Sequence, residues 1–368
     1  MGAVKTRKAS GVTLNAAELK AALGIVGQAV TSRGTKPVLA SVLLADGLCV
    51  GTDLDVRIET AIDYHGDAML LPWQRMKAIL EAAGGDEVTL TPDGSSVRVR
   101  CSRGEWTLPT ESASEFPTWE PAGLKPVVRV PVDEFARAVR SVLPATDNES
   151  SRYALSSVLL EVDADNATLV ATDGRRLHKA EVGYEQSVDP SQSLLPRHVA
   201  AIIASLVSTD DASVQLEGNA EVIRAEVGGT TVTARQVAGR FPQWRQLLKD
   251  KYPKPSHVEQ TALLSATRAA AIVTSEQSRG VTYTLTAEGL HLTAQSSESG
   301  QASVTCDLES CGHACTVLLD PAFVVEWLRA LPSGTDPTIT VQAKDKASAV
   351  ILTSDRYTAV IMPLDPSA

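Results

Sequence analysis

MLLPWQRMKAIL, residues 69–80, returns as SLLPRHVAAII at 193–203 and again as VLLDPAFVVEWL at 317–328. The second leucines of the three pairs, Leu71, Leu195 and Leu319, stand 124 residues apart in both intervals. After each pair comes a proline, which the first turn of a helix tolerates because its missing N–H would have no intrahelical partner there. Apolar residues then follow at i, i+3, i+4 and i+7: Met76, Ile79, Leu80 and Ala83; Val199, Ile202, Ile203 and Leu206; Val324, Trp327, Leu328 and Leu331. That spacing lines one face of a helix. Three amphipathic helices in register predict a chain built from three copies of one unit.

The surroundings repeat as well. Behind each helix lies a turn and an alternating stretch, GGDEVTLTPDGSSVRVRC, STDDASVQLEGNAEVIRAEV and SGTDPTITVQAKDKASAVILT, which reads as strands joined by tight turns. Ahead of it a second helix is expected, with Leu19, Ala22, Leu23 and Val26 in the first copy and Phe135, Ala138, Val139 and Val142 in the second; TALLSATRAAAIV in the third is Ala-rich and less cleanly periodic. A unit of about 120 residues can hold its own core, unlike a short solenoid repeat. The Pro-rich polar segments FPTWEPAGLKP (116–126) and KDKYPKPSH (249–257) fall at the joins. The expected organisation is α+β, with three tandem domains of two helices and antiparallel sheet at 1–124, 125–253 and 254–368.

At 43% hydrophobic and 21% charged residues the composition is ordinary for a globular chain. No apolar run approaches the roughly 18–20 residues of a membrane helix, and MGAVKTRKAS lacks the apolar centre of a signal peptide, so a cytoplasmic protein is expected. Gly2 to Thr6 fits a short myristoylation pattern that recurs by chance. Five dispersed cysteines suit free thiols; CGHAC (311–315) is read as a hairpin tip and not as a metal site, which needs more ligands in matched pairs.

The net charge of −10 argues against a chain that coats nucleic acid over its whole surface. Within the six helix windows (14–30, 72–83, 132–143, 196–207, 260–275 and 321–331), however, Lys and Arg number eight against five Asp and Glu. A mildly basic helix layer in an acidic protein can meet phosphates locally.

ATDGRRLHKAEV (171–182) concentrates an acid, two arginines and a histidine, and could be read as an active site built on Asp173, Arg176 and His178. No second carboxylate, nucleophile elbow, phosphate loop or dinucleotide motif accompanies it, so no catalytic residue, metal or cofactor is assigned. The first copy repeats the dipeptide as Thr52-Asp53. A turn residue is repeated with its fold, and Asp followed by Gly is strong turn chemistry, so Asp173 is expected to shape a bend.

KPVLASVLL with GTDLD, RYALSSVLLE with ATDGRRL, GRFPQWRQLL (239–248), SEQSRGV (275–281) and the terminal AVIMPL (359–364), in that order inside a threefold repeat, resemble the bacterial DNA polymerase III β subunits, the replicative sliding clamps. The resemblance covers essentially the whole chain. It implies a head-to-tail homodimer whose six domains close a ring around double-stranded DNA, with helices lining the hole. It further implies an apolar pocket that takes short linear peptides of the replicative polymerase α subunit, the clamp loader, translesion polymerases and mismatch-repair proteins. Matching pocket positions are Leu155, Thr172, Gly174, Arg175, Arg176, Leu177, Pro242, Leu247, Phe323, Val360, Met362, Pro363 and Leu364. Matching DNA contacts are Arg33, Arg75, Arg152, Tyr153 and Arg197. The chain departs from the family at Glu149, an acid near the DNA, and at Arg175, Gln246 and Ser278 around the pocket. The alternative is a peptide-binding scaffold of the same architecture that does not encircle DNA.

Overall fold

A computed structural model describes residues 11–31, 36–147, 154–185, 189–206, 213–275 and 280–365. The first copy runs β1 (Val12–Asn15), α1 (Ala16–Val26), β2 (Ser41–Ala45), β3 (Leu48–Thr52), β4 (Val56–Ala61), β5 (Met69–Pro72), α2 (Trp73–Ala83), β6 (Glu87–Asp93), β7 (Ser96–Cys101) and β8 (Gly104–Pro109). The second repeats that order as β9 (Lys125–Pro131), α3 (Val132–Val142), β10 (Ser157–Val162), β11 (Ala167–Thr172), β12 (Arg176–Val182), β13 (Ser191–Pro196), α4 (Arg197–Ser205), β14 (Ser213–Gly218), β15 (Val222–Val227) and β16 (Thr230–Arg235). The third is β17 (Ser256–Glu259), α5 (Gln260–Ala270), β18 (Val281–Thr286), β19 (Gly289–Ser296), β20 (Gly300–Cys306), β21 (Cys315–Leu319), α6 (Pro321–Ala330), β22 (Thr338–Gln342), β23 (Val350–Ser354) and β24 (Tyr357–Ile361). The fold is α+β and all its described strand pairings are antiparallel.

The helical periodicity buries what it should. Of the twenty apolar positions picked from α1, α2, α3, α4 and α6, all but Leu206 are buried; Leu206 lies one residue past the end of α4 and is half-buried. In α5 the same i, i+3, i+4, i+7 face exists as Leu263, Ala266, Thr267 and Ala270. Its small residues hide the period, because a face of Ala and Thr carries little hydrophobic contrast. Side-chain oxygens cap α1, α5 and α6: Asn15 Oδ1 accepts from the amides of Ala17 and Glu18 at 2.9 and 3.0 Å, Glu259 Oε2 from Ala262, and Asp320 Oδ1 from Ala322.

The contacts divide the chain into two compact units: residues 1–126 with 208–235, and 127–207 with 236–368. In the first unit strands run β1-β6-β7-β8 in one sheet and β5-β2-β3-β4-β16-β15-β14 in another. The second unit holds β13-β10-β11-β12-β24-β23-β22-β17 and β20-β19-β18-β21. Each copy lends its neighbour an edge: β4 of the first copy pairs with β16 of the second, and β12 of the second with β24 of the third. Sheet continuity explains why three sequence copies fold into two units, with β14, β15 and β16 of the second copy in the first unit.

CGHAC is not a hairpin tip. The strands on either side of it, β20 and β21, occupy opposite edges of their sheet, so the segment is a crossover. It packs on the start of β17: the Gly312 amide donates to Ser256 Oγ at 3.0 Å, and a Cβ on Gly312 would lie 2.1 Å from the Pro255 carbonyl oxygen. Among the described residues no cluster of three or more His, Cys, Asp or Glu could hold a metal ion, and no helix is long and apolar enough to cross a membrane.

Candidate functional site: an apolar cleft at the end of the last strand

The turn between β11 and β12 is built by its own side chains. Thr172 Oγ1 donates to the Arg176 carbonyl at 2.6 Å and accepts from the Gly174 amide at 3.1 Å. Asp173 Oδ1 accepts from the amides of Arg175 and Arg176, both at 2.9 Å, and Asp173 Oδ2 from Arg176 Nε at 3.1 Å. Gly174 sits at φ +87°, where a glycine costs least. The first copy has the same turn. Thr52 Oγ1 donates to Val56 O at 2.8 Å, and Asp53 Oδ1 accepts from the amides of Asp55 and Val56 at 3.0 and 2.7 Å. There Leu54 takes the positive φ, at +86°.

Arg176 is 9% exposed and fully engaged. Beyond Asp173, its Nη1 donates to Glu326 Oε2 and its Nη2 to the Pro144 carbonyl, each at 2.5 Å, while its guanidinium lies 4.3 Å from the Phe323 ring centre. His178 is buried, and its Nδ1 donates to the Ser141 carbonyl at 3.0 Å. Burial pushes its pKa down to about 3; the Ser141 carbonyl opposes that shift and the Arg176 charge adds to it. Held neutral inside the core, the imidazole is a packing residue. The three candidate catalytic side chains thus hold a turn, an ion cluster around one buried arginine, and a core.

The turn forms one wall of a cleft of about 360 Å³. Thr172, Gly174, Arg175, Arg176 and Leu177 stand on that wall; Pro242, Gln243, Trp244, Gln246 and Leu247 supply the second, and Val360 and Met362 at the end of β24 the third. Leu247 and Met362 are among the few large apolar side chains exposed to solvent. Beneath lies a cluster of Leu159, Val170, Leu177, Phe241, Trp244, Ile351 and Val360, so the floor is rigid core. Arg245 lies over the Trp244 ring at 4.4 Å and pairs with Glu161 at 3.2 Å, which fastens the second wall.

Nine of the thirteen pocket positions suggested by resemblance meet in this cleft: Thr172, Gly174, Arg175, Arg176, Leu177, Pro242, Leu247, Val360 and Met362. Leu155, Phe323, Pro363 and Leu364 do not line it. Phe323 instead backs Arg176, the Leu155 carbonyl accepts from the Asp147 amide at 3.0 Å, and the Leu364 amide donates to the Leu318 carbonyl at 2.8 Å, pinning the chain end to β21. Gln243 and Trp244 line the cleft and were missed; the signal was FPxW, which stands at both 116–119 and 241–244. Of the suggested DNA contacts, Arg75 and Arg197 are exposed in the first turns of α2 and α4. Arg33, Arg152 and Tyr153 lie outside the described residues, as do Glu149 and Ser278.

Repeat and cleft together define a protein of tandem clamp domains with a peptide-sized apolar cleft on its last strand. A family model described as the DNA polymerase III beta subunit, central domain, matches residues 129–243. The beta sliding clamp of Escherichia coli (strain K12) is 27% identical over 347 residues, covering 90% of this chain and 93% of that one. That of Vibrio cholerae serotype O1 is 26% identical over 96% of this chain and 99% of its own. A crystal structure of the DNA polymerase sliding clamp from Pseudomonas aeruginosa with ligand superposes with a TM-score of 0.89 at 25% identity, over 96% of this chain and 99% of that one. Over nearly its whole length the chain is thus similar to beta sliding clamps, and its residues 129–243 match the central domain of the DNA polymerase III beta subunit.

Proposed function

We propose that this chain is a DNA sliding clamp, a processivity factor with no reaction of its own, which encircles duplex DNA as a head-to-tail homodimer and holds polymerases and other partners by a short peptide in the cleft. The domain division 1–124, 125–253 and 254–368 belongs to this reading.

The observation that carries the dimer is the arithmetic of edges. In each copy the fourth strand and the last strand end the two half-sheets, and the rule of the fold is that one copy's fourth strand pairs with the next copy's last: β4 with β16, β12 with β24. β20 and β8 are the two left over, each at the edge of a four-stranded sheet. Open edges invite pairing. A second subunit supplies both missing partners, giving two identical β20·β8 junctions that close on themselves. Ile272, 79% exposed in the turn after α5 beside β20, marks the same edge as a surface meant to be covered. On the other edge, β8 presents the half-buried Trp106.

All eight Lys and Arg of the six helices (Lys20, Arg75, Lys77, Arg137, Arg140, Arg197, Arg268 and Arg329) are exposed. Exposed basic side chains on helices suit contact with phosphates and read no base edges, which leaves a ring free to slide. Retention then comes from topology. The cleft, apolar with a few polar guides, suits leucine and phenylalanine anchors of a linear peptide. Sedimentation equilibrium tests the ring: a dimer is expected, and a stable monomer at micromolar concentration contradicts it.

A further inference from the structure

Lysine is scarce in this chain, 12 residues against 22 arginines, and it is unevenly placed. Five of the twelve fall in two short stretches: Lys249, Lys251 and Lys254 in KDKYPKP (249–255), and Lys344 and Lys346 in AKDKASA (343–349). The fold brings the two together. Tyr252 Oη donates to the Ala349 carbonyl at 2.9 Å. The crossover CGHAC touches both: Gly312 lies so close to the Lys254 carbonyl that a Cβ would collide with it, and His313 Nε2 donates to the Lys344 carbonyl at 3.2 Å. In the β17·β22 pair, Ser256 faces Val341 and Glu259 faces Thr338. Glu259 caps α5, and the chain reaches Thr338 from α6, so the lysine stretches lie at the end of the pair opposite to both helices.

All five lysines are exposed, and among the described residues none is in an ion pair. Asp250 and Asp345 are the only acids in the two stretches, and Asp345 Oδ1 is already taken by the amides of Ala347 and Ser348, at 2.9 and 2.8 Å. A net charge of +3 thus stands on a chain whose total is −10.

The make-up of the patch selects its ligand. Arginine forks suit bidentate recognition of carboxylates, and although the chain is rich in arginine the patch has none. Lysine is a hydrated point charge on a flexible stem, which suits phosphates met for their charge and not for their geometry. None of the exposed large apolar side chains, Leu54, Leu247, Ile272 and Met362, lies in either stretch, so the patch has no anchor for a lipid interior. Lys249 to Lys254 spans at most about 17 Å of chain, and duplex DNA carries one charge per about 1.7 Å of its axis, enough to offer several phosphates at once.

We propose that these five lysines form a second nucleic-acid contact, which holds the phosphates of duplex DNA on loops away from the helix layer. Both stretches and the crossover belong to the same compact unit, so this contact depends neither on ring closure nor on the cleft.

The test uses a covalently closed duplex minicircle with no clamp loader present, which a closed ring cannot take into its hole. The full-length protein should shift the minicircle in a gel at low salt. Replacing Lys249, Lys251, Lys254, Lys344 and Lys346 together by Gln should weaken binding at least tenfold and lower the slope of log K against log salt by about three to five. Replacing all five by Arg keeps the charge and should keep binding within about twofold. No shift by the unaltered protein, or equal binding by the Gln variant with an unchanged thermal midpoint, overturns the proposal. Decaglutamate or phosphatidylserine vesicles bound as tightly as the minicircle, with the same dependence on the lysines, would make the occupant an acidic protein or a membrane and overturn it too. A protein that sediments as a monomer yet shows the lysine-dependent shift would lose the ring and keep this contact.

Discussion

The main-chain carbonyl of Arg175 accepts a hydrogen bond from the amide of Met362 at 2.9 Å. It extends the β12·β24 ladder, in which Arg176 faces Ile361 and Leu177 faces Val360, one step into the cleft. Two walls of the site, from the second and third copies, are therefore joined by main-chain hydrogen bonds.

Truncation after Ile361 removes that bond, the Met362 wall and the Leu364-to-Leu318 tether. Loss of one large apolar contact of this kind is worth about 1.5–3 kcal/mol, or tenfold and more in affinity. Peptide binding measured by anisotropy should fall by at least that factor, while the protein sediments as before because β8 and β20 are untouched. Unaltered affinity would place the site elsewhere.

Asp173→Ala should cost more than its counterpart Asp53→Ala. Both lose a carboxylate that accepts from two turn amides, at about 1–2 kcal/mol. Only Asp173 also neutralises a buried arginine, adding roughly 1–2 kcal/mol when removed. Thermal midpoints should rank the variants in that order, and equal midpoints would deny Asp173 its second role.

Gly174→Ala tests the turn without touching its bonds. A Cβ there meets no atom within 4 Å, so the cost is that of a side chain at φ +87°, about 1 kcal/mol. The reverse change, Leu54→Gly, relieves the same strain at +86° and should be neutral or stabilising by less than 1 kcal/mol. A strongly destabilised Leu54→Gly would show that Leu54, 41% exposed, makes contacts that outweigh its backbone strain.

The His178 pKa of about 3 makes a prediction in acid. The unfolded chain takes up a proton near pH 6.5 and the folded one does not until about pH 3, so stability is intact above 6.5 and falls as pH drops through that window. The slope from this group approaches 1.4 kcal/mol per pH unit. His178→Phe, compared with the unaltered protein in urea unfolding at pH 5 and pH 7, should remove that part of the pH dependence. An identical pH dependence would mean that His178 is not held neutral.

Ile272→Asp should split the dimer. A charge at the exposed residue beside β20 opposes burial against a second subunit, and sedimentation should show monomer with peptide binding retained. A dimer that persists would move the interface away from this edge.

How much of this was legible depended on side-chain contrast. The Leu-Leu-Pro repeat announces itself because Leu, Ile and Met alternate with Gln, Lys and Glu on a helix face, whereas the same face in α5 is written in Ala266, Thr267 and Ala270. CGHAC misled because two strand-like flanks are read as neighbours, and only the sheet order shows β20 and β21 at opposite edges. Thr172-Asp173 was readable as a turn from its duplicate Thr52-Asp53. Trp244 was overlooked although its duplicate, Trp119, stands in the same FPxW frame. Leu155, Phe323, Pro363 and Leu364 were placed at the cleft by resemblance alone. The structure gives Phe323 to Arg176 and the chain end to β21, pairings between residues distant in sequence that no local pattern records.

The central claim is topological, so its most direct test is as well. The protein, loaded onto nicked circular DNA and separated from free protein by gel filtration, should remain with the circle and be lost once a restriction enzyme linearises it. Equal loss from the circular and linear forms, or equal retention on both, would contradict a ring that encircles DNA.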